Sequence, residues 1–256
     1  MFQMINNALT AVDNFVWGVP LIVMILATGI FLTVRLGGIQ IRRLPKALSY
    51  MVQNEEEGEG EVTSFAALCT ALSATIGTGN IVGVATALVA GGPGALFWMW
   101  IAALFGMATK YAEGVLAIRY RVVDSENHVL GGPFYYIENG MGKNFRWLGM
   151  LFAFFGACVG LLGIGTFTQV NGITSAVGDF FDSEVSREIV LFGREYSLAV
   201  LISGLILTVC VAMVVIGGIQ RISRVSEMVV PFMAVIYVAA CLVILGTHWR
   251  QIPQAF

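Results

Sequence analysis

Eight consecutive residues concentrate the chemistry of this 256-residue chain: Ser73, Ala74, Thr75, Ile76, Gly77, Thr78, Gly79 and Asn80. Thr75, Thr78 and Asn80 offer neutral side-chain oxygens, the donor type that suits a hard cation such as sodium. Gly77 and Gly79 are among the poorest helix formers. Yet the stretch sits in the middle of an apolar segment, residues 63–90, long enough to cross a bilayer, which takes about 20 residues. A membrane helix with a weak, polar middle must satisfy its freed backbone groups by burial in protein or by a bound ion or solute. The residues therefore predict a discontinuous helix at membrane mid-depth.

Gly77 lies about 14 residues into the segment, roughly 21 Å along a helix and so near mid-depth. The first half-helix would end there, turning the carbonyls of Ser73, Thr75 and Ile76 toward a cation. The second would start there, turning the amides of Gly79, Asn80 and Ile81 toward an anionic group such as a carboxylate. No Asp or Glu occurs in 63–90, so the charge of a bound cation needs balancing from elsewhere. A substrate carboxylate would do so and would couple ion to substrate directly. The competing reading is a kinked packing face of small residues. Asn80 weighs against it, because a lone amide at mid-depth needs a partner.

The elements that must position this stretch follow from composition. The chain is 57% hydrophobic and 12% charged, against about 25% charged for a soluble domain. With a mean hydropathy of +0.83 it reads as an all-α integral membrane protein. Six spans are expected, over 18–34, 63–90, 95–120, 148–177, 197–216 and 228–246. The runs are too long for barrel strands and lack period-2 alternation. The first is preceded by Asp13 and by no Lys or Arg, so it reads as a retained span rather than a signal peptide.

Basic residues give the orientation. Arg35, Arg42, Arg43, Lys46, Arg119, Arg121, Lys143, Arg146, Arg221 and Arg224 fall on one side of six alternating spans, and only Arg187, Arg194 and Arg250 on the other. This ten-to-three split predicts an N-terminus outside and a multi-pass protein of the plasma (inner) membrane. The acidic run 54–61, NEEEGEGE, reads as a solvated cytoplasmic linker. The stretch 131–147 reads equally as an interfacial helix or a packed loop.

Other chemistries find little support. The four cysteines, Cys69, Cys158, Cys210 and Cys241, lie in apolar segments and read as reduced packing residues. His128 and His248 are far apart in loops, so neither a metal site nor a Ser-His-Asp enzyme is expected. The net charge of −2 does not direct the chain to nucleic acid. Lys110 and Glu113 share a helix face and read as an ion pair, or else as a cytoplasmic gate. Thr166, Thr168, Gln169 and Asn171 cluster in the fourth span, with Gln169 the best substrate contact among them. Glu138 with Tyr135 or Tyr136 is a weaker gate candidate. Trp98 and Trp100 fit an interfacial belt.

Residues 91–106, GGPGALFWMWIAALFG, continued by MATKYAE to Glu113, resemble the signature of the sodium:alanine symporter family, whose members import small amino acids with sodium. The resemblance extends over the whole chain. It implies an architecture like the leucine-transporter type, with two inverted repeats of five helices. The break resembles the Gly-x-Gly-Asn of sodium amino-acid transporters of that fold. Carried over by position, Ala74, Thr75, Thr78 and Gly79 contact substrate, with Gln169 and Asn80 beside them. Thr75 and Asn80 ligate the sodium nearest the substrate, and Ser73 and Ile76 carbonyls contribute to a second sodium site. Family members are nearly twice this length. The chain therefore reads as a single membrane domain over 1–256, with an extra helix at 18–34 and a first five-helix repeat over 63–246. The second repeat is missing, and the chain is expected to be a fragment that needs that repeat or a second copy.

The expected function is sodium-coupled symport of alanine or glycine by alternating access, without covalent chemistry or any cofactor beyond sodium as coupling ion. A channel is one rival, although no repeated GTGN suggests a symmetric filter. A membrane enzyme lacks a visible acid, His or Cys constellation. A truncated subunit with only an assembly role is the third rival.

Overall fold

The computed structural model describes residues 2–52, 62–125, 128–163, 165–181, 188–191 and 194–251. The acidic run 54–61 and Arg187 lie outside these residues. The chain divides into two compact units, one of Met1–Tyr50 with Val84–Val159, the other of Met51–Gly83 with Gly160–Phe256.

In the first unit, α1 (Phe2–Val16) and α2 (Val19–Arg35) form one long apolar stretch that pauses before Pro20. Helix formation therefore starts well before the apolar run marked by composition. Two short helices follow, α3 (Ile39–Arg42) and α4 (Leu44–Val52). The long α7 (Pro93–Arg119) starts after Gly92, whose φ of 68° is a left-handed value that favours glycine. It packs chiefly against α2. Their contact is close because Gly29 has no side chain: a Cβ there would lie 2.8 Å from Phe105 Cβ. A two-stranded hairpin, β1 (Val122–Val123) with β2 (Val129–Leu130), leads into α8 (Pro133–Met141) and α9 (Arg146–Leu161). The stretch left open as interfacial helix or packed loop thus carries a nine-residue helix, α8.

In the second unit, α5 (Ser64–Thr75) is capped by Thr63, whose hydroxyl accepts the Ala66 amide at 3.2 Å. α10 (Thr166–Phe181) packs on α11 (Leu198–Val215), and a hairpin of β3 (Glu188–Leu191) with β4 (Arg194–Ser197) lies between them in sequence. α12 (Gly218–Thr247) packs along α5. Between the units in sequence, α6 (Val82–Gly91) continues the segment that α5 begins.

Among the described residues five stretches are long and apolar enough to cross a membrane, Gln3–Arg35, Pro93–Arg119, Lys143–Phe181, Leu198–Val215 and Gly218–Thr247. The bent pair of α5 and α6 makes a sixth. The architecture is an all-α membrane protein. Two further boundaries differ from expectation. The fourth span is two helices of 16 residues each, α9 and α10, because Gly163 (φ 62°) and Gly165 (φ 90°) take left-handed conformations between them. The sixth helix starts ten residues early, at Gly218, since hydrogen bonding continues through polar residues outside the apolar window.

Burial is inverted relative to a soluble fold. The buried apolar side chains among the described residues are Ala66, Cys69, Ala108 and Val230, while Phe31, Trp98 and Phe232 face outward. Small residues at helix contacts and large apolar ones outside are what a lipid solvent selects.

Candidate functional site

The expected break is present. α5 stops at Thr75, and Ile76 (φ −88°, ψ 114°) and Gly77 (φ −154°, ψ −164°) are extended. One 3-10 turn, Thr78–Asn80, precedes α6, and the segment bends by 67°. Among the described residues the Ser73 and Ile76 carbonyls accept no hydrogen bond. The Thr75 carbonyl accepts the Asn80 side-chain amide at 3.3 Å. Asn80 thus ties the two halves together through Nδ2 and keeps Oδ1 for another partner. The Thr75 hydroxyl donates to the Ala71 carbonyl at 2.8 Å, which leaves its lone pairs as acceptors.

The amides depart from expectation. Asn80 N–H is taken by the Gly77 carbonyl at 3.0 Å and Ile81 N–H by the Thr78 carbonyl at 3.2 Å, because the chain restarts through a 3-10 turn. Of the three amides expected to be exposed, Gly79 N–H alone makes no hydrogen bond among the described residues. A Cβ at Gly79 would meet nothing within 4 Å, and the residue is exposed.

Gln169 of α10 joins the break, but to its backbone: Oε1 accepts Thr78 N–H at 2.8 Å. A Cβ at Gly77 would lie 2.5 Å from Gln169 Nε2, and one at Gly172 would lie 2.9 Å from Thr78 Cγ2. The need for glycine at Gly77 is thus close approach, since its extended backbone suits any residue. Gly172 escaped the sequence reading, although its spacing from Gln169 places both on one helix face. Thr168 is occupied within its own helix, donating to the Gly165 carbonyl at 2.8 Å. Thr166 and Asn171 make no side-chain contact with the break among the described hydrogen bonds.

A second addition comes from α12. The Ser226 hydroxyl, buried, donates to Ser73 Oγ at 3.3 Å, and Ser73 donates in turn to the Thr70 carbonyl at 2.7 Å. Ser223, one helical turn away, is buried too. Both precede the apolar window at Met228, which is why composition left them out. Next to them Glu227 is half-buried on α12, the helix that packs along α5. It supplies the α5 neighbourhood with a carboxylate that residues 63–90 lack.

In the first unit, Lys110 Nζ and Glu113 Oε2 form an ion pair at 2.7 Å. Arg146 Nε lies 3.5 Å from Glu138 Oε1, tying α9 to α8. Burial pushes the Tyr136 phenol above its ordinary range; Glu113 adds to the rise and Lys110 opposes it. Tyr135 instead packs its ring on Phe134, centroids 5.1 Å apart.

A helix broken at mid-span, with unpaired carbonyls at one end and an unpaired amide at the other, is suited to binding a cation beside an anion. The family model for the sodium:alanine symporters matches residues 2–256. The chain belongs to the sodium:alanine symporter family. It is 47% identical over 254 residues to the sodium/alanine symporter AgcS of Methanococcus maripaludis, covering 98% of this chain and 52% of that protein. It is 52% identical over 251 residues to an uncharacterized transporter of Haemophilus influenzae, covering 98% and 51%. It is 34% identical over 253 residues to the amino-acid carrier protein AlsT of Bacillus subtilis, covering 99% and 50%. The chain spans about half the length of these curated relatives. Membership in this transporter family agrees with a multi-pass, all-helical membrane protein.

Proposed function

We propose that this chain forms the first half of a sodium-coupled symporter for a small neutral amino acid, alanine or glycine, in the plasma membrane with its N-terminus outside. The observation that carries the reading is the break at Ile76 and Gly77. Sodium sits against the Thr75 hydroxyl and Asn80 Oδ1, with the Ser73 and Ile76 carbonyls turned to a second ion. The substrate carboxylate takes Gly79 N–H, and Ala74 and Thr78 bound its side. A carboxylate next to the ion lowers the cost of holding both away from water, which makes each ligand's affinity depend on the other. Gln169 acts here as a positioning residue, holding the Thr78 amide so that the break keeps its shape.

In this reading the helix at 18–34 is an addition, 63–246 is the first of two inverted five-helix repeats, and a second repeat or a second copy completes the pocket. Rocking of one bundle against the other would give alternating access. The test is uptake of labelled alanine and glycine into vesicles holding the protein, with sodium or choline outside. Sodium-dependent uptake is expected, with the apparent sodium affinity lowered at least about tenfold by Thr75→Val, a loss of about 1.4 kcal/mol. Uptake indifferent to sodium would sink the coupling. A Thr75→Val variant with unchanged sodium affinity would remove Thr75 from the site.

A further inference from the structure

In the first unit α3, α4 and α7 border a cavity of about 440 Å³, whose wall includes Gln40, Arg43, Lys46, Tyr50, Met107 and Tyr111. Among the described residues two cations and no carboxylate line it. Neither Arg43 nor Lys46 forms an ion pair among the described residues. Lys46 Nζ lies 5.4 Å from the centre of the Tyr50 ring, which steadies the ammonium without neutralising it.

Gln40, one of the lining residues, is held in place from behind. The Thr33 hydroxyl donates to the Gly29 carbonyl at 2.7 Å, so toward other groups its oxygen can only accept. Gln40 Nε2 donates to that oxygen at 2.8 Å, which sets the orientation of the amide. Gln40 Oε1 is left buried and without a hydrogen-bond partner among the described residues. The remaining wall is largely apolar, from Met107, Tyr111 and the aliphatic residues of α3 and α4.

α4 itself is built to lie at a bilayer surface. Leu44, Leu48 and Met51 are exposed alongside exposed Lys46. A short helix with exposed apolar residues and a cation rests stably at the boundary between headgroups and acyl chains. α4 lines the cavity and follows, in sequence, the basic end of α2 at Arg35. An occupant matched to the described lining brings negative charge for two cations and hydrocarbon for the apolar wall. A free phosphate has only the first.

We propose that this cavity holds an anionic phospholipid, its phosphate against Arg43 and Lys46 and its glycerol and upper acyl chain against Met107 and Tyr111. The site is independent of the transport reading, because it uses no residue of the helix break.

The test is native mass spectrometry of the purified full chain, released from micelles that mix phosphatidylglycerol with phosphatidylcholine. The expected result is preferential retention of phosphatidylglycerol. An Arg43→Gln, Lys46→Gln double variant should lower that preference roughly thirtyfold, the effect of two interfacial cations. An Arg43→Lys, Lys46→Arg variant should keep it. Equal retention by the double variant would overturn the proposal. So would complete displacement by soluble glycerol phosphate, which would make this a free-phosphate site. A preference in the unmodified protein that stays the same from low to high salt would overturn it as well, whatever the variants do.

Discussion

Replacing Gly77 by alanine isolates one contact. The backbone there is extended, so alanine fits it without strain. The new Cβ instead lands 2.5 Å from Gln169 Nε2 and 2.9 Å from its Cδ. These atoms belong to the tip of a flexible side chain, which will swing aside rather than force α10 away. In swinging, Gln169 gives up its 2.8 Å bond to Thr78 N–H. A half-buried amide left unmatched costs about 1–3 kcal/mol, and that is the expected loss for Gly77→Ala. Gln169→Ala should lose about the same, because it removes the same bond. It also removes the obstacle, so adding Gly77→Ala to it should cost almost nothing. Thermal unfolding of the four proteins in one detergent gives the coupling energy, expected at about 1–3 kcal/mol. Strict additivity, within about 0.5 kcal/mol, would refute the claim that glycine is needed here for this approach.

Three further outcomes follow from the geometry. Gly29→Ala should destabilise by about 1–3 kcal/mol in a melting experiment, since its Cβ would lie 3.0 Å from the Phe105 carbonyl oxygen and α2 and α7 would have to part; Gly106→Ala, with nothing within 4 Å, should be near neutral. The raised Tyr136 phenol means that the folded protein binds more protons than the unfolded chain once pH passes the ordinary value of 10.0. Stability should therefore fall as pH rises beyond that value, and Tyr136→Phe should flatten the decline. In an absorbance titration Glu113→Gln should bring the phenol back down, and Lys110→Gln should push it further up. Ser226→Ala removes only a 3.3 Å hydroxyl contact and should cost about 1 kcal/mol or less, while Ser226→Leu overpacks a buried position and should cost about 1–3 kcal/mol in the same melts.

The break at Gly77 was legible because its signal is local: glycines and oxygens stand out inside an apolar run. The fifth helix was legible for the opposite reason, being apolar throughout and bounded by polar residues, so 197–216 and Leu198–Val215 nearly coincide. The split of the fourth span was hidden, since window averages of hydropathy do not register Gly163 and Gly165, whose effect is on φ rather than on polarity. The early start of α12 was hidden by the same averaging: Ser223 and Ser226 are polar yet buried, and burial depends on α5, far away in sequence. The partner of Gln169 lies 91 residues off, so its polarity could be noticed and its role as a brace for Thr78 could not. The amides of Asn80 and Ile81 were misread because a fresh helix start was assumed where the chain uses a tighter turn.

The contact between α5 and α12 is lined by Ala66, Cys69, Ser223, Ser226 and Val230, side chains that scarcely project from their helices. Interlocked large side chains make a helix pair bistable, because any slip must first unseat them. Here the corrugation is shallow, and the Ser226 to Ser73 contact, long at 3.3 Å, is the side-chain hydrogen bond described between the two helices. Such a pair is suited to act as a plain bearing: along the seam with α12, axial displacement of α5 breaks one weak side-chain hydrogen bond among those described, while the brace at Gln169 holds the far end of the break. The half-helix that carries Ser73 and Thr75 is therefore mounted against a seam of small side chains, crossed by a single long side-chain hydrogen bond among those described.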